Sequence, residues 1–247
     1  MHARAIVRLL LPVLTSCALA CSLLAAAQPA AAAGYNEKRG PNYTSRVMLT
    51  FDDCPRSLAA FKDVVNYAKQ KNIGLVIAPT GKCLRKYRDR YGVNLAQYAR
   101  NRGQYVMNHT INHSDLRKLS CAAVAREVSS LPGADSNYGR PPWGYTNANV
   151  RCGYARAGMK IWTWDVNTLD YKGRTRSQVV SYASKHARAG STVLMHMDEK
   201  AFTPSAIGQI RSKLADRGLK VCRAYRGKDN KGAVIATSKK LPSRLPC

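Results

Sequence analysis

The chain has 247 residues, 40 of them Lys or Arg against 14 Asp or Glu, a formal charge of +26. That length suits one sizeable α/β domain, and no internal repeat, linker or low-complexity tract argues for a second. So basic a surface favours polyanions, although charge alone does not separate a specific anionic partner from a merely solvated basic face.

In chain order, Arg4 and Arg8 precede an apolar stretch from Leu9 to Ala27, and "QPAAAAG" follows. Residues 1–33 therefore read as a secretory signal peptide cleaved near Ala33. Two alternatives stay open: an uncleaved membrane anchor, and lipoprotein processing at Cys17 of "LTSC". Without Arg4 and Arg8 the charge is still +24. An exported protein so charged meets phosphate-rich or uronate-containing wall polymers more readily than nucleic acid. No membrane span is expected once the signal is removed. Residues 34–45 form a polar lead-in.

From Arg46 strand-like and helix-like stretches alternate. "RVMLTF" reads as a strand, and "SLAAFKDVVNYAKQKN" as a helix with Leu58, Phe61, Val64, Val65 and Ala68 on one face. "IGLVIA" is a second strand, "NLAQYARNRG" a helix with a glycine stop, "QYVMN" a third strand, and "SCAAVAREVSSL" a helix opened by Ser120. "KIWTWDV", "STVLMHM" and "KVCRAY" are further strands, separated by the helices "SQVVSYASKHARAG" and "SAIGQIRSKLADRG". Repeated βα units predict a parallel sheet with helical crossovers. Polar residues collect at strand C-terminal ends, at Asp52, Asp53, His109 and His196 with Asp170 close by, which favours a barrel over an open sheet.

Removal of the signal leaves Cys54, Cys83, Cys121, Cys152, Cys222 and Cys247. An even number in an exported chain predicts up to three disulfides with fifteen connectivities open. None forms a CxxC pair, which argues against a cysteine zinc site or a thioredoxin-like centre. For Cys54 a disulfide is expected, with a free thiol acting as an additional ligand as the alternative.

His109 and His113 lie four residues apart just after a predicted strand, a spacing that lets both grip one metal ion or form a purely structural pair. An aspartate from another strand end would complete a two-histidine, one-carboxylate site with open positions. Asp52 and Asp53 would then divide the work: one holds the ion and the other takes a proton from water. Without the histidines the same two acids read as a loop cap. Trp162 and Trp164 read as core. Tyr138, Trp143 and Tyr145 read either as a sugar-stacking surface or as partly buried. His186 reads as a surface residue, and "NYT" at 42–44 matches a glycosylation sequon.

"TFDDCP", "NHTINH", "RPPWG", "TWDVNTLDY" and "VLMHMD" together resemble, in order and approximate spacing, the five motifs of the polysaccharide deacetylase family, the NodB-homology domain or carbohydrate esterase family 4. The resemblance covers about residues 46–226 and leaves a basic C-terminal extension over 227–247, tied down through Cys247. It implies a distorted (β/α)7 barrel and hydrolysis of N-acetyl, sometimes O-acetyl, groups on acetylated glycan polymers; the +24 charge then ranks peptidoglycan N-acetyl sugars first, chitin oligomers next and acetylated xylan third. Carried over by position, Asp52 is the base, Asp53, His109 and His113 hold a divalent metal, and Arg140 orients the base. Trp143 offers a backbone N–H to the oxyanion, with Tyr145 beside it facing substrate. His196 protonates the leaving amine and Asp170 tunes it. A water held at the ion is the nucleophile. Zinc is the first expectation for that ion, with cobalt or iron also suited to the ligand set. A catalytically silent glycan-binding module on the same fold is the rival reading. Three positions depart from the family pattern: Cys54 stands in place of a glycine, Tyr171 in place of a tryptophan, and Met197 separates His196 from Asp198.

Overall fold

The structure is a computed structural model that describes residues 35–129, 135–227 and 236–247. The expected signal peptide and Cys17 lie outside these residues. Among the described residues there are seven short strands and seven α-helices, largely in βα succession. Strands β1 (Met48–Asp53), β2 (Leu75–Pro79), β3 (Tyr105–Val106), β6 (Val166–Asn167) and β7 (Thr192–His196) form a parallel sheet in the order β3-β2-β1-β7-β6. Strands β4 (Tyr138–Gly139) and β5 (Lys160–Ile161) pair with each other, and a parallel bridge from Asn108 to Gly139 joins them to β3. The stretch from β5 to β6 links the two sheets through the chain itself. Among the described residues the ladder hydrogen bonds do not close the ring. The fold is a parallel-sheet α/β fold, as expected.

Strand pleat decides which side chains reach the interior, because successive residues point to opposite faces. Val47, just before β1, and Leu49 and Phe51 on it join the large core under the helices, whereas Met48 joins an interior cluster with Val76, Ala78, Tyr105, Met107, Tyr138 and Trp162. Val193 and Met195 on β7, and Met197 just after it, likewise join the core under the helices. Thr50 and Asp52, and opposite them Leu194 and His196, therefore continue the inward row toward the strand C-terminal ends.

Helices follow the apolar spacing where it was visible. Helix α1 (Leu58–Gln70) starts at Ser57, whose hydroxyl accepts from the Ala60 N–H, and buries Phe61, Val64, Val65 and Ala68. Helices α3 (Leu95–Arg100), α4 (Cys121–Ser129), α6 (Arg176–His186) and α7 (Pro204–Ala215) occupy predicted stretches. Helices α2 (Gly81–Tyr91) and α5 (Ala148–Arg156) were not foreseen. Two strand readings also need correcting. "KIWTWDV" splits into β5 and β6, and "KVCRAY" makes a single bridge, Val221 to Val47.

The six cysteines pair in sequence order: Cys54–Cys83, Cys121–Cys152 and Cys222–Cys247. Cys54–Cys83 ties the end of β1 to α2, Cys121–Cys152 joins α4 to α5, and Cys222–Cys247 fastens the C-terminal segment to the interior cluster. The sequon asparagine Asn42 is buried, with its amide donating to Arg46 O at 2.7 Å. No helix among the described residues is long and apolar enough to cross a membrane.

Candidate active site

The inward rows converge on a cavity of about 480 Å³ lined by Asp52, Asp53, His109, His113, Trp143, Tyr145, Trp164, Asn167, Tyr171, Leu194, His196, Asp198 and Glu199. In the parallel register Asp52 is the direct partner of His196. Adjacent strands lie about 4.8 Å apart, so two inward side chains at matched positions stand on opposite shoulders of one space.

Asp52 is buried and held from behind by Arg140, which is fully buried. Arg140 Nη1 donates to Asp52 Oδ1 at 2.7 Å and to Thr50 Oγ1 at 2.9 Å. Its Nε and Nη2 donate to the carbonyls of Trp162 and Thr163 at 3.1 and 2.8 Å. Burial pushes the guanidinium pKa down and the Asp52 charge pulls it back. Four bonds in one plane fix the guanidinium, and through it one carboxylate oxygen, leaving Oδ2 toward His109 at 3.7 Å.

Pleat alone would send Asp53 outward, as it does Phe51. The backbone instead enters the left-handed region at Asp53, with φ 71°, and turns the carboxylate round to the histidines. Asp53 Oδ1 lies 3.5 Å from both His109 Nε2 and His113 Nε2. The second histidine arrives by the same device, in a loop where Thr110 and His113 have φ of 64° and 56° and the His113 N–H donates to Thr110 Oγ1 at 3.0 Å. Three non-glycine residues in this region cost on the order of 1–3 kcal/mol each, strain of a kind that clusters at functional sites.

The three side chains suit a divalent cation. Their donor atoms all lie within 4.8 Å of one another, two nitrogens and one oxygen, on the cavity wall. His109 Nδ1 lies 2.8 Å from Arg140 O. A carbonyl only accepts, so Nδ1 carries a proton and Nε2 is the nitrogen presented to Asp53, the one left to serve as a ligand once it gives up its own proton. Burial disfavours a charged His109, yet the charges of Asp52 and Asp53 outweigh it and raise its pKa. Burial would also raise Asp53, but the hydrogen bond from His109 and the charges of His109, His113 and His196 hold it at about 2. His113 shifts down, chiefly through burial.

His196 is fixed by a second carboxylate. Its backbone N–H donates to Asp170 Oδ2 and its Nδ1 to Asp170 Oδ1, both at 2.8 Å. Asp170 is buried in a single 3-10 turn after β6, so Nε2 is the nitrogen left for the cavity. Burial opposes a charged ring, but the bond to Asp170 and the charges of Asp52, Asp170 and Asp53 push its pKa up to about 9.

All nine residues named from the sequence contribute to this assembly, although Arg140 and Asp170 stand behind the wall rather than in it. Trp143 sits in the "RPPWG" turn with φ 55°, 52% exposed, its ring 4.7 Å from His113 and 5.9 Å from Tyr145. Tyr171 packs edge-on against His196 at 5.5 Å. Position 54, where a glycine is usual, has no positive φ; the left-handed residue is Asp53. Met197 faces the core, which leaves Asp198 on the cavity wall. Tyr138 is buried, and so is Trp162, whose Nε1 donates to Thr192 Oγ1 at 3.2 Å. Trp164 corrects the sequence reading: in the segment between β5 and β6, it lines the cavity instead of the core. Thr50, Asn167 and Glu199 were missed. Thr50 was legible in principle, two residues before Asp52 on the same face of β1.

A model of the polysaccharide deacetylase family matches residues 39–162. The chain is 29% identical over 192 residues to a bifunctional xylanase/xylan deacetylase of Cellvibrio japonicus, covering 73% of this chain and 27% of that protein. It is 26% identical over 164 residues to a peptidoglycan-N-acetylglucosamine deacetylase of Bacillus cereus, covering 64% and 58%. Thus the chain spans about a quarter of the first relative and somewhat more than half of the second. Among solved structures, the family 4 carbohydrate esterase of Streptomyces lividans in complex with acetate aligns with a TM-score of 0.62 and 26% identity, over 78% of this chain and 98% of that one.

Proposed function

The chain belongs to the polysaccharide deacetylase family, and from that premise we propose that it is a metal-dependent hydrolase removing acetyl groups from N-acetylated glycan polymers. The observation that carries this reading is the pair of supported proton-transfer groups facing each other across one register position, Asp52 backed by Arg140 and His196 backed by Asp170. A binding module has no use for a base and an acid each oriented by its own buried counter-charge.

Asp53, His109 and His113 would hold a divalent cation, zinc by first preference, which when bound polarises a carbonyl and acidifies water. Asp52 accepts the proton of the attacking water at the oxygen that Arg140 leaves free. Trp143, turned by its left-handed backbone, offers its amide to the developing oxyanion. His196, protonated and aligned through Nδ1 by Asp170, delivers a proton from Nε2 to the departing nitrogen, so that a free amine leaves and acetate remains. Exposed Trp143 and Tyr145 offer faces for a sugar ring.

For substrate, peptidoglycan N-acetylglucosamine ranks first and chitin oligomers second, in line with the Bacillus cereus relative. The xylan deacetylase relative supports O-acetylated xylan as the second reading. Three disulfides suit an exported or wall-associated protein. Purified protein loaded with zinc, cobalt or iron should release acetate from N-acetylglucosamine oligomers or peptidoglycan. No acetate from any of these or from acetylated xylan would overturn the assignment.

A further inference from the structure

At the opposite end of the strands lies a second cavity, about 270 Å³, lined by Arg46, Asn72, Arg211, Ala215, Leu219, Lys220, Val221 and Arg223. Arg46 stands two residues before β1, Asn72 three before β2, and Arg211 on α7, so this is the face where strands begin. The catalytic residues stand where they end. From Arg46 to Asp52 an extended strand covers roughly 20 Å.

Among the described residues, four cations and no carboxylate line this cavity. Among the described residues, none of the four enters an ion pair with Asp, Glu or His. Their bonds instead run to backbone oxygens: Arg46 Nη1 to Val221 O at 2.9 Å, Arg211 Nη1 to Lys71 O at 3.0 Å and Arg223 Nε to Cys247 O at 3.0 Å. A C-terminal charge at Cys247 would balance at most one of the four. Each guanidinium has five N–H donors and shows one bond here, so donors remain for a ligand. Arg226 stands beside them, with its Nε on Asn72 Oδ1 at 3.0 Å. Burial and the neighbouring Arg223 push the Arg46 pKa down, as expected of like charges held together.

We propose that this cavity is a docking site for phosphate groups of an anionic polyol-phosphate or sugar-phosphate polymer, which holds the protein by the end remote from its catalytic pocket. Planar guanidinium forks match phosphate oxygens two at a time, and three of them with a lysine suit a polymer presenting such groups in succession. Nucleic acid fits less well. No aromatic side chain lines the cavity for base stacking, and the three disulfides suit an oxidising compartment. The inference does not depend on the deacetylase reading.

The test is binding of the full protein to a glycerol-phosphate oligomer, with inorganic phosphate, a polyuronate and single-stranded DNA as comparison probes. Arg211→Gln with Lys220→Gln should weaken oligomer binding at least tenfold and flatten its salt dependence. A charge-matched control at the C-terminal end of α6 and just beyond it, Lys185→Gln with Arg188→Gln, should weaken it less than threefold. Both variants should keep the unfolding midpoint of the unmodified protein in denaturant, which shows that they are folded. Equal losses in the two variants, an unaffected Arg211/Lys220 variant, or tighter binding to DNA or polyuronate than to the phosphate oligomer would overturn the proposal.

Discussion

Asp52 and Asp53 are adjacent in sequence and chemically alike, yet the backbone gives them different neighbours. Asp52 keeps the pleat, faces inward and meets a guanidinium; Asp53 leaves the pleat at φ 71° and meets two imidazoles. The role division makes a sharp prediction. Asp53→Ala should abolish stoichiometric zinc binding measured by metal analysis, whereas Asp52→Asn should keep the metal and lose about 10²–10⁴ in turnover. Equal metal loss in both would reverse the assignment. His196 supports a second prediction. Its pKa is raised above the ordinary histidine value, so the stability it contributes is fully present below about 6.5 and is lost as pH rises through about 9. A bound dication offsets the Asp52 and Asp53 charges that help raise it, so the alkaline limb of kcat should fall between those two values. Asp170→Asn removes the hydrogen-bonded carboxylate and should move that limb toward acid by about one pH unit or more, with metal content unchanged. A limb that stays in place would remove Asp170 as the tuning group.

At the level of elements, the Cys54–Cys83 bridge explains why a thiol follows the paired acids. It spans 29 residues, enclosing α1 and β2, and the Tyr87 hydroxyl on α2 adds a second tie to Pro55 O at 2.7 Å. Chain-entropy arithmetic for a loop of this size gives about 3–4 kcal/mol. Cys54→Ser with Cys83→Ser should therefore lower unfolding stability in denaturant by about 3 kcal/mol, and weaken zinc binding because the strained Asp53 backbone loses its adjacent anchor. An unchanged denaturation midpoint would contradict this. What could be read from the residues follows the same logic of contrast. Strands β1, β2 and β7 and helix α1 were legible because apolar spacing with flanking caps leaves one assignment open. Helix α2 hides its buried face in Cys83, Leu84 and Tyr87 among six charged residues, and α5 has Gly153 packed against Val124 where a Cβ would not fit. Two-residue β4 carries no periodic signal. "KVCRAY" has the composition of a strand, but Cys222 is bound to Cys247 and Tyr225 N–H pairs with Gly103 O, which takes the segment out of the ladder after one bridge. In the site the residue identities were legible and their geometry was not. The left-handed turns at Asp53, Thr110 and His113 oppose local preference and persist because the surrounding packing holds them.

Over the whole molecule, charge is sorted rather than merely abundant. Forty cations belong to a chain of net charge +26, yet among the described residues no lysine or arginine lines the candidate cavity, whereas Asp52, Asp53, Asp198 and Glu199 do. The guanidinium of Arg140 is buried behind Asp52, to which it is hydrogen-bonded. Under the proposed function, an anionic polymer would be drawn to the exterior while its own anionic groups would be disfavoured within the pocket, where only the neutral acetamide portion should enter. Exterior attraction is screened over about 8 Å at physiological ionic strength, whereas short contacts within the cavity are screened far less. Raising salt from about 0.05 to about 0.5 M should therefore leave kcat/KM for uncharged N-acetylglucosamine oligomers within about twofold. For an acetylated polymer bearing phosphate or carboxylate groups it should fall by about tenfold or more, through KM and not kcat, because the lost term is the steering of encounter. A parallel fall for the neutral oligomer would mean that the basic exterior reaches into the pocket, and a fall in kcat would place the salt effect on the proton-transfer groups themselves.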